Sequence, residues 1–126
     1  MKHQKLIDYL ASNDVVHCVI IDIHGNCLDA FGSKDDLQYA GLYESLFGDG
    51  NRRRNLFSSI RVQAIPQSWK QGVEKCLVFT LDPTTIAGVF YLDKHNIMES
   101  YQFGIKICFE IQSIWIEYHN FDHSDR

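Results

Sequence analysis

The sequence predicts an α/β/α sandwich of the α+β class: a five-stranded antiparallel sheet with helices on both faces, in the order α-β-β-α-β-β-β-α. Three observations carry this. The run Ile86–Leu92, IAGVFYL, holds no charge, opens after Asp82-Pro83-Thr84-Thr85 and closes on Asp93-Lys94, which reads as a central strand buried on both faces. Val15–Ile23 and Lys75–Leu81 are nearly as apolar, whereas a sheet covered on one face would alternate polar and apolar residues. Turns at Gly25 and Gly72 fold neighbouring runs into hairpins, so consecutive strands pair antiparallel.

In chain order, Lys2–Ser12 is an amphipathic helix with Leu6, Ile7 and Leu10 at helical spacing, ended by Asn13-Asp14. Val15–Ile23 follows as a strand, His24-Gly25-Asn26 turns the chain, and Cys27–Phe31 returns. Asp29 interrupts that return strand and suits it to an edge. Ser33 is the expected N-cap of a second helix reaching about Phe47, with Asp35 and Asp36 favourable in its first turn. Its apolar residues, Leu37 to Phe47, span a wider arc than one sheet face needs, and the surplus includes Tyr39 and Tyr43. Gly48-Asp49-Gly50-Asn51 breaks the pattern, Arg52–Arg54 falls in a loop, and Leu56–Val62 adds a helical turn.

Gln67–Gln71, opened by Ile65-Pro66, reads as an edge strand because proline lacks a ladder N–H. Asn96 caps the last helix, Ile97–Tyr118, with Glu99 three residues on completing a capping box. The polar residues of that helix form one narrow stripe, so it is expected to be largely enclosed.

At 126 residues the chain fits one domain, placed at residues 1–119, followed by a disordered polar tail at 120–126. A net charge of −4 argues against nucleic acid or an anionic membrane as the main partner. Neither a signal peptide nor a membrane span is evident, which makes the cytoplasm the expected compartment. The four cysteines show no CxxC spacing, and three of them sit in apolar runs as reduced, buried packing residues.

No catalytic signature is present: no GxSxG, HExxH or phosphate-binding loop, and Gly48-Asp49-Gly50 does not precede Lys-Ser/Thr. His17, Cys18, His24 and Cys27 suggest zinc at first sight. But His17 and Cys18 are strand neighbours that point to opposite faces, so core and turn roles are the better reading. His119-x-x-x-His123 has ligand spacing without further ligands. Cys27 and Cys76 lack an evident base and read as inert. Arg52, Arg53 and Arg54 form the only charge run, a solvated loop or a dock for an acidic or phosphate-bearing partner. The expectation is no catalytic residue, no metal and no cofactor.

The order of elements, the Asp22-Ile23-His24-Gly25 turn as a D-x-x-G motif, the long second helix and the strand Ile86–Leu92 feeding the last helix resemble the Roadblock/dynein light chain family. That family shares its architecture with longin and profilin-like domains. The resemblance covers about Lys5–Tyr118. The glycine-rich break before three arginines and the aromatic final helix depart from the family's pattern. It implies a non-enzymatic interaction module that forms a homodimer, with second helices packed together and third strands paired across the two-fold. The implied partners are small Ras-like GTPases, motor complexes or signalling scaffolds. On that basis Tyr39, Tyr43 and Phe47 are placed at the helix interface and Trp69 near the strand junction. The alternative is a PAS- or GAF-like sensor holding a small ligand beside its sheet.

Overall fold

The computed structural model describes residues 3–61 and 66–124, with side chains as far as His119. The expected helix start at Lys2, with Val62 and Ile65, lies outside the described residues. The chain begins with helix α1, Gln4–Ser12, then strands β1, Val15–Asp22, and β2, Cys27–Gly32. Helices α2, Ala40–Phe47, and α3, Gly50–Arg61, follow. Strands β3, Gln67–Gln71, β4, Glu74–Asp82, and β5, Thr85–Leu92, precede helix α4, Ile97–Ser124.

The strands form one antiparallel sheet in the order β2-β1-β5-β4-β3, so the charge-free run is its middle strand. β2 and β3 are the edges, as their interrupting Asp29 and preceding Pro66 foretold. The D-x-x-G turn is built by Asp22, whose Oδ1 accepts the His24 and Asn26 N–H groups at 2.9 Å each. Gly25 closes it at φ +80°, a conformation few other residues tolerate.

Alternation along the strands sends side chains into two separate cores. On one face α1 and α4 cover Cys18, Ile20, Phe79, Val89 and Tyr91 with Leu6, Leu10, Ile107 and Ile111. On the other, α2 and α3 cover Val19, Ile21, Val78, Ile86 and Phe90 with Leu46, Phe47, Phe57 and Ile60. Helices therefore lie on both faces, the condition that doubly apolar strands impose.

Three local expectations need correction. Ser33 caps not a long helix but a 3-10 turn, Lys34–Asp36, after which Leu37 and Tyr39 are extended and α2 starts only at Ala40. The cause is long-range: buried Glu74 on β4 takes the Gln38 N–H at 2.7 Å and pulls that segment out of helical geometry. Arg52–Arg54 is helical rather than looped. Asp49 accepts the Arg52 N–H at 2.8 Å and acts as N-cap of α3, outweighing the glycines beside it. Finally, α4 passes Tyr118 and continues to Ser124 with no glycine or proline to stop it. The first part of the expected polar tail is thus helical backbone, and residues 125 and 126 lie outside the described residues.

Candidate interaction surface

The β3–β4 hairpin organises one end of the molecule. β3 pairs only with β4 among the described residues and leaves its outer edge open. Trp69, opposite Cys76 in the ladder, is half-buried against the core under α2. The hairpin turns at Gly72, φ +61°, where a Cβ would come within 2.6 Å of the Tyr39 hydroxyl. The Tyr39 ring, the Glu74–Gln38 bond and the Gln71 side chain near Gly41 together fix the start of α2 on this hairpin.

Of the residues expected at an interface, Tyr39 and Trp69 are half-exposed around this edge, whereas Tyr43, equally half-exposed, lies away from it with its ring against His17 of β1 and Phe90 of β5. Phe47 is not available to a partner. It is 1% exposed, its ring 5.9 Å from that of Phe90 and seated over Gly88 in β5. The apolar surplus assigned to the second helix is likewise spent inside. Leu42 and Leu46 are buried, and α2 shows solvent the small or polar Ala40, Gly41, Glu44 and Ser45.

The expected enclosure of the last helix is overturned. Ile97, Met98, Tyr101, Ile105, Phe109 and Ile116 are 48% to 91% exposed. Counting apolar positions could not reveal this, because no element among the described residues covers that side of α4. The exposed stripe borders a groove of about 160 Å³ lined by Pro66, by Ser68 of β3 and by Tyr101, Gly104 and Ile105 of α4. α4 itself is anchored by Gln112 donating to the Thr80 carbonyl at 2.8 Å and Trp115 Nε1 donating to Asp82 at 3.0 Å.

Asp93, just beyond β5, joins both features. Its carboxylate accepts the Ser100 hydroxyl at 2.6 Å and the His95 N–H at 3.2 Å, with the Lys70 and Lys75 ammonium groups each 3.8 Å away. Burial works against its charge, but these hydrogen bonds and the two lysines prevail and hold the carboxyl below the usual range.

The arginine cluster is used largely within the chain. Arg53 donates to the Gly25 carbonyl at 2.6 Å and to the Phe47 carbonyl at 2.9 Å, tying the first hairpin turn to the end of α2. Arg52 donates to the Glu44 carbonyl at 2.9 Å and Arg54 to Asn51. Arg52 and Arg54 remain exposed, and Arg53 is half-buried.

The residues considered for chemistry do not converge. Cys18, Cys76 and Cys108 are buried and Cys27 is exposed. Burial pushes the Cys18 and Cys108 thiols up to about 12 and raises Cys76 and Cys27 too, away from a reactive thiolate. His17 is buried against Tyr43 and Phe90, apart from His24 in the hairpin turn. Among the described residues no three His, Cys, Asp or Glu side chains are grouped to hold a metal. His123 of the C-terminal pair lies outside the described side chains. No helix of the described residues is long and apolar enough to cross a membrane.

An antiparallel five-stranded sheet between an α1/α4 layer and an α2/α3 layer is the Roadblock-like, longin-related fold. In particular, the chain is similar to the crystal structure of MglC from Myxococcus xanthus, with TM-score 0.58 and 10% identity over 90% of this chain and 98% of that one. It is also similar to Myxococcus xanthus MglB, with TM-score 0.54 and 11% identity over 93% of this chain and 99% of that one. For the gliding protein MglB from Thermus thermophilus the TM-score is 0.53 and the identity 10%, over 90% of this chain and 87% of that one. At such identities the likeness is one of fold. No protein-family model matches the chain, and no curated protein matches it.

Proposed function

We propose that this chain is a non-enzymatic regulatory module that works as a homodimer and binds a small Ras-like GTPase or a signalling or motor scaffold. The observation that carries the proposal is the open β3 edge, with Trp69 and Tyr39 half-exposed around it. A second copy pairing β3 with β3 across a two-fold satisfies that edge and removes a site of uncontrolled strand addition. Gly41 and Ser45 on the outer side of α2 allow another backbone to approach closely there. The Roadblock-like fold supports the regulatory role, and a structure of MglB in a tetrameric arrangement, TM-score 0.54, supports assembly through repeated copies. Arg52 and Arg54 are the outward cations for an acidic or phosphate-bearing partner.

Light scattering across a dilution series tests the dimer. Wild type should have twice the chain mass and Trp69→Asp the mass of one chain, because a buried unpaired charge is strongly disfavoured. A wild type monomeric at high micromolar concentration would overturn the reading. The partner class is tested by titrating the dimer with small GTPases of the same cell, loaded with GDP or a non-hydrolysable GTP analogue. Binding that differs between the two states supports it, and none in either state refutes it. A small molecule retained in native mass spectrometry would instead favour the sensor.

A further inference from the structure

We infer that the outer stripe of α4 is covered by the α4 helix of a second copy of this chain, the two running antiparallel. This deepens the dimeric reading above and rests on it for the placement of the copies. Ile97, Tyr101, Ile105 and Phe109 recur at four-residue spacing and form one continuous row on the helix. With Met98 they leave on the order of 700 Å² open, more than the ~300–600 Å² of the largest patch on an ordinary monomer. It is close to what each partner gives to a standard interface of about 1,600 Å². No charge interrupts the row.

Two features favour a second copy as the occupant. The stripe lies on the β3 side of α4: Tyr101 and Ile105 line the groove shared with Pro66 and Ser68. The polar side of the helix faces α1, where Glu117 meets Lys5 at 2.8 Å. A copy paired along β3 therefore brings its own stripe towards this one. α4 lies over β4, with Gly104 against Leu77. Joining the β3 edges sets the two α4 helices about 14 Å apart, three strand spacings. A helix with average side chains is about 10–12 Å across, and the long Tyr101, Phe109 and Met98 side chains close the remainder. The row is also complementary to itself. Reversal about the level of Phe103 sets Ile97 against Phe109 and Tyr101 against Ile105, a large side chain opposite a smaller one in each pair.

The test uses the full chain and follows dimer dissociation by light scattering, with circular dichroism to confirm folding. Phe109→Glu and Ile105→Glu should each weaken the dimer by about tenfold or more. Lys106→Glu, on the polar side, should leave it unchanged. Independently, Ile105→Cys in a Cys27→Ser background should give a covalent dimer with a short bis-maleimide, and Ser113→Cys should not. That cross-link decides the matter if a glutamate variant fails to fold. If Trp69→Asp gives monomers while both α4 variants dimerise like wild type and Ile105→Cys does not cross-link, the β3 reading stands and this inference falls. If the α4 variants are monomers and Trp69→Asp still dimerises, α4 pairing stands and the β3 reading falls. A monomeric wild type overturns both.

Discussion

On one face of the sheet α2 turns Leu42, Leu46 and Phe47 inward and offers water Ala40, Gly41, Glu44 and Ser45. On the other face α4 buries Ile107, Cys108 and Ile111 yet leaves Tyr101, Ile105 and Phe109 outside. Both helices carry more apolar residues than one sheet face requires. The short α2 spends its surplus on a deep aromatic contact with β5, while the long α4 leaves its surplus uncovered by any element among the described residues. A wide apolar arc thus shows only that something must cover it. Whether the cover is the same chain or another molecule depends on which other elements reach that side.

Truncating the core beneath either helix has the largest expected effect. Phe90→Ala, under α2, should cost about 3–5 kcal/mol, and Ile107→Ala, on the sheet side of α4, about 2–5 kcal/mol. Urea melts at fixed protein concentration measure both, and losses below ~1 kcal/mol in both would mean that β5 is not the centre of the fold.

Next comes Gly88→Ala. A Cβ there would overlap the Phe47 ring, so the added methyl should destabilise by about 1–3 kcal/mol, with most of the disturbance on the α2 side. Near-ultraviolet circular dichroism together with the melt checks this.

A pH series follows. Burial lowers the pKa of His17 below its ordinary 6.5, and the carbonyls of Gly32 and Phe31 offset this only in part. Neither ring nitrogen makes a well-formed hydrogen bond. The unfolded chain therefore takes up a proton before the folded one does. Stability associated with neutral His17 is full above pH 6.5 and is lost as pH falls from there through the folded pKa. Wild type should weaken relative to His17→Leu as pH falls below the ordinary histidine pKa of 6.5. Parallel curves for the two would refute the assignment.

The caps give a smaller effect. Asn96→Ala removes the 2.9 Å bond from the Glu99 N–H to Asn96 Oδ1, and Asp49→Ala removes the cap of α3. Each should cost about 1 kcal/mol in a urea melt. The smallest expected effect is Phe109→Ala: although on α4, it should change the stability of the isolated chain by no more than about 0.5 kcal/mol. A larger loss would place Phe109 in the monomer's core after all.

Elements with local signals were legible in the sequence. β3 lies at Gln67–Gln71 because a proline and a glycine bracket it, and the box of Asn96 and Glu99 starts α4 where three residues of spacing put it. Legibility fails where a distant residue intervenes. Nothing near Gln38 announces that Glu74 will take its N–H, and that bond splits the second helix. The helical arginines had a local signal in Asp49, three residues before Arg52, hidden by the glycines on either side. At the candidate surface, Trp69 and the β3 edge were legible from strand order. Phe47 was not, because only the register of β5 places Gly88 beneath it.

Gly88 leaves a notch in the middle of the central strand, and the Phe47 ring occupies it like a peg. A helix pinned in this way cannot slide along the sheet by a fraction of a turn, since the peg would ride up onto Ile86 or Phe90, its neighbours on the same face of a close-packed core. With its other end clamped by Tyr39 over Gly72 and its last carbonyl held by Arg53, α2 is fixed at both termini. A molecule docking on α2 therefore pushes against the whole sheet, and the force reaches the β3 edge as a rigid displacement instead of fading within the helix.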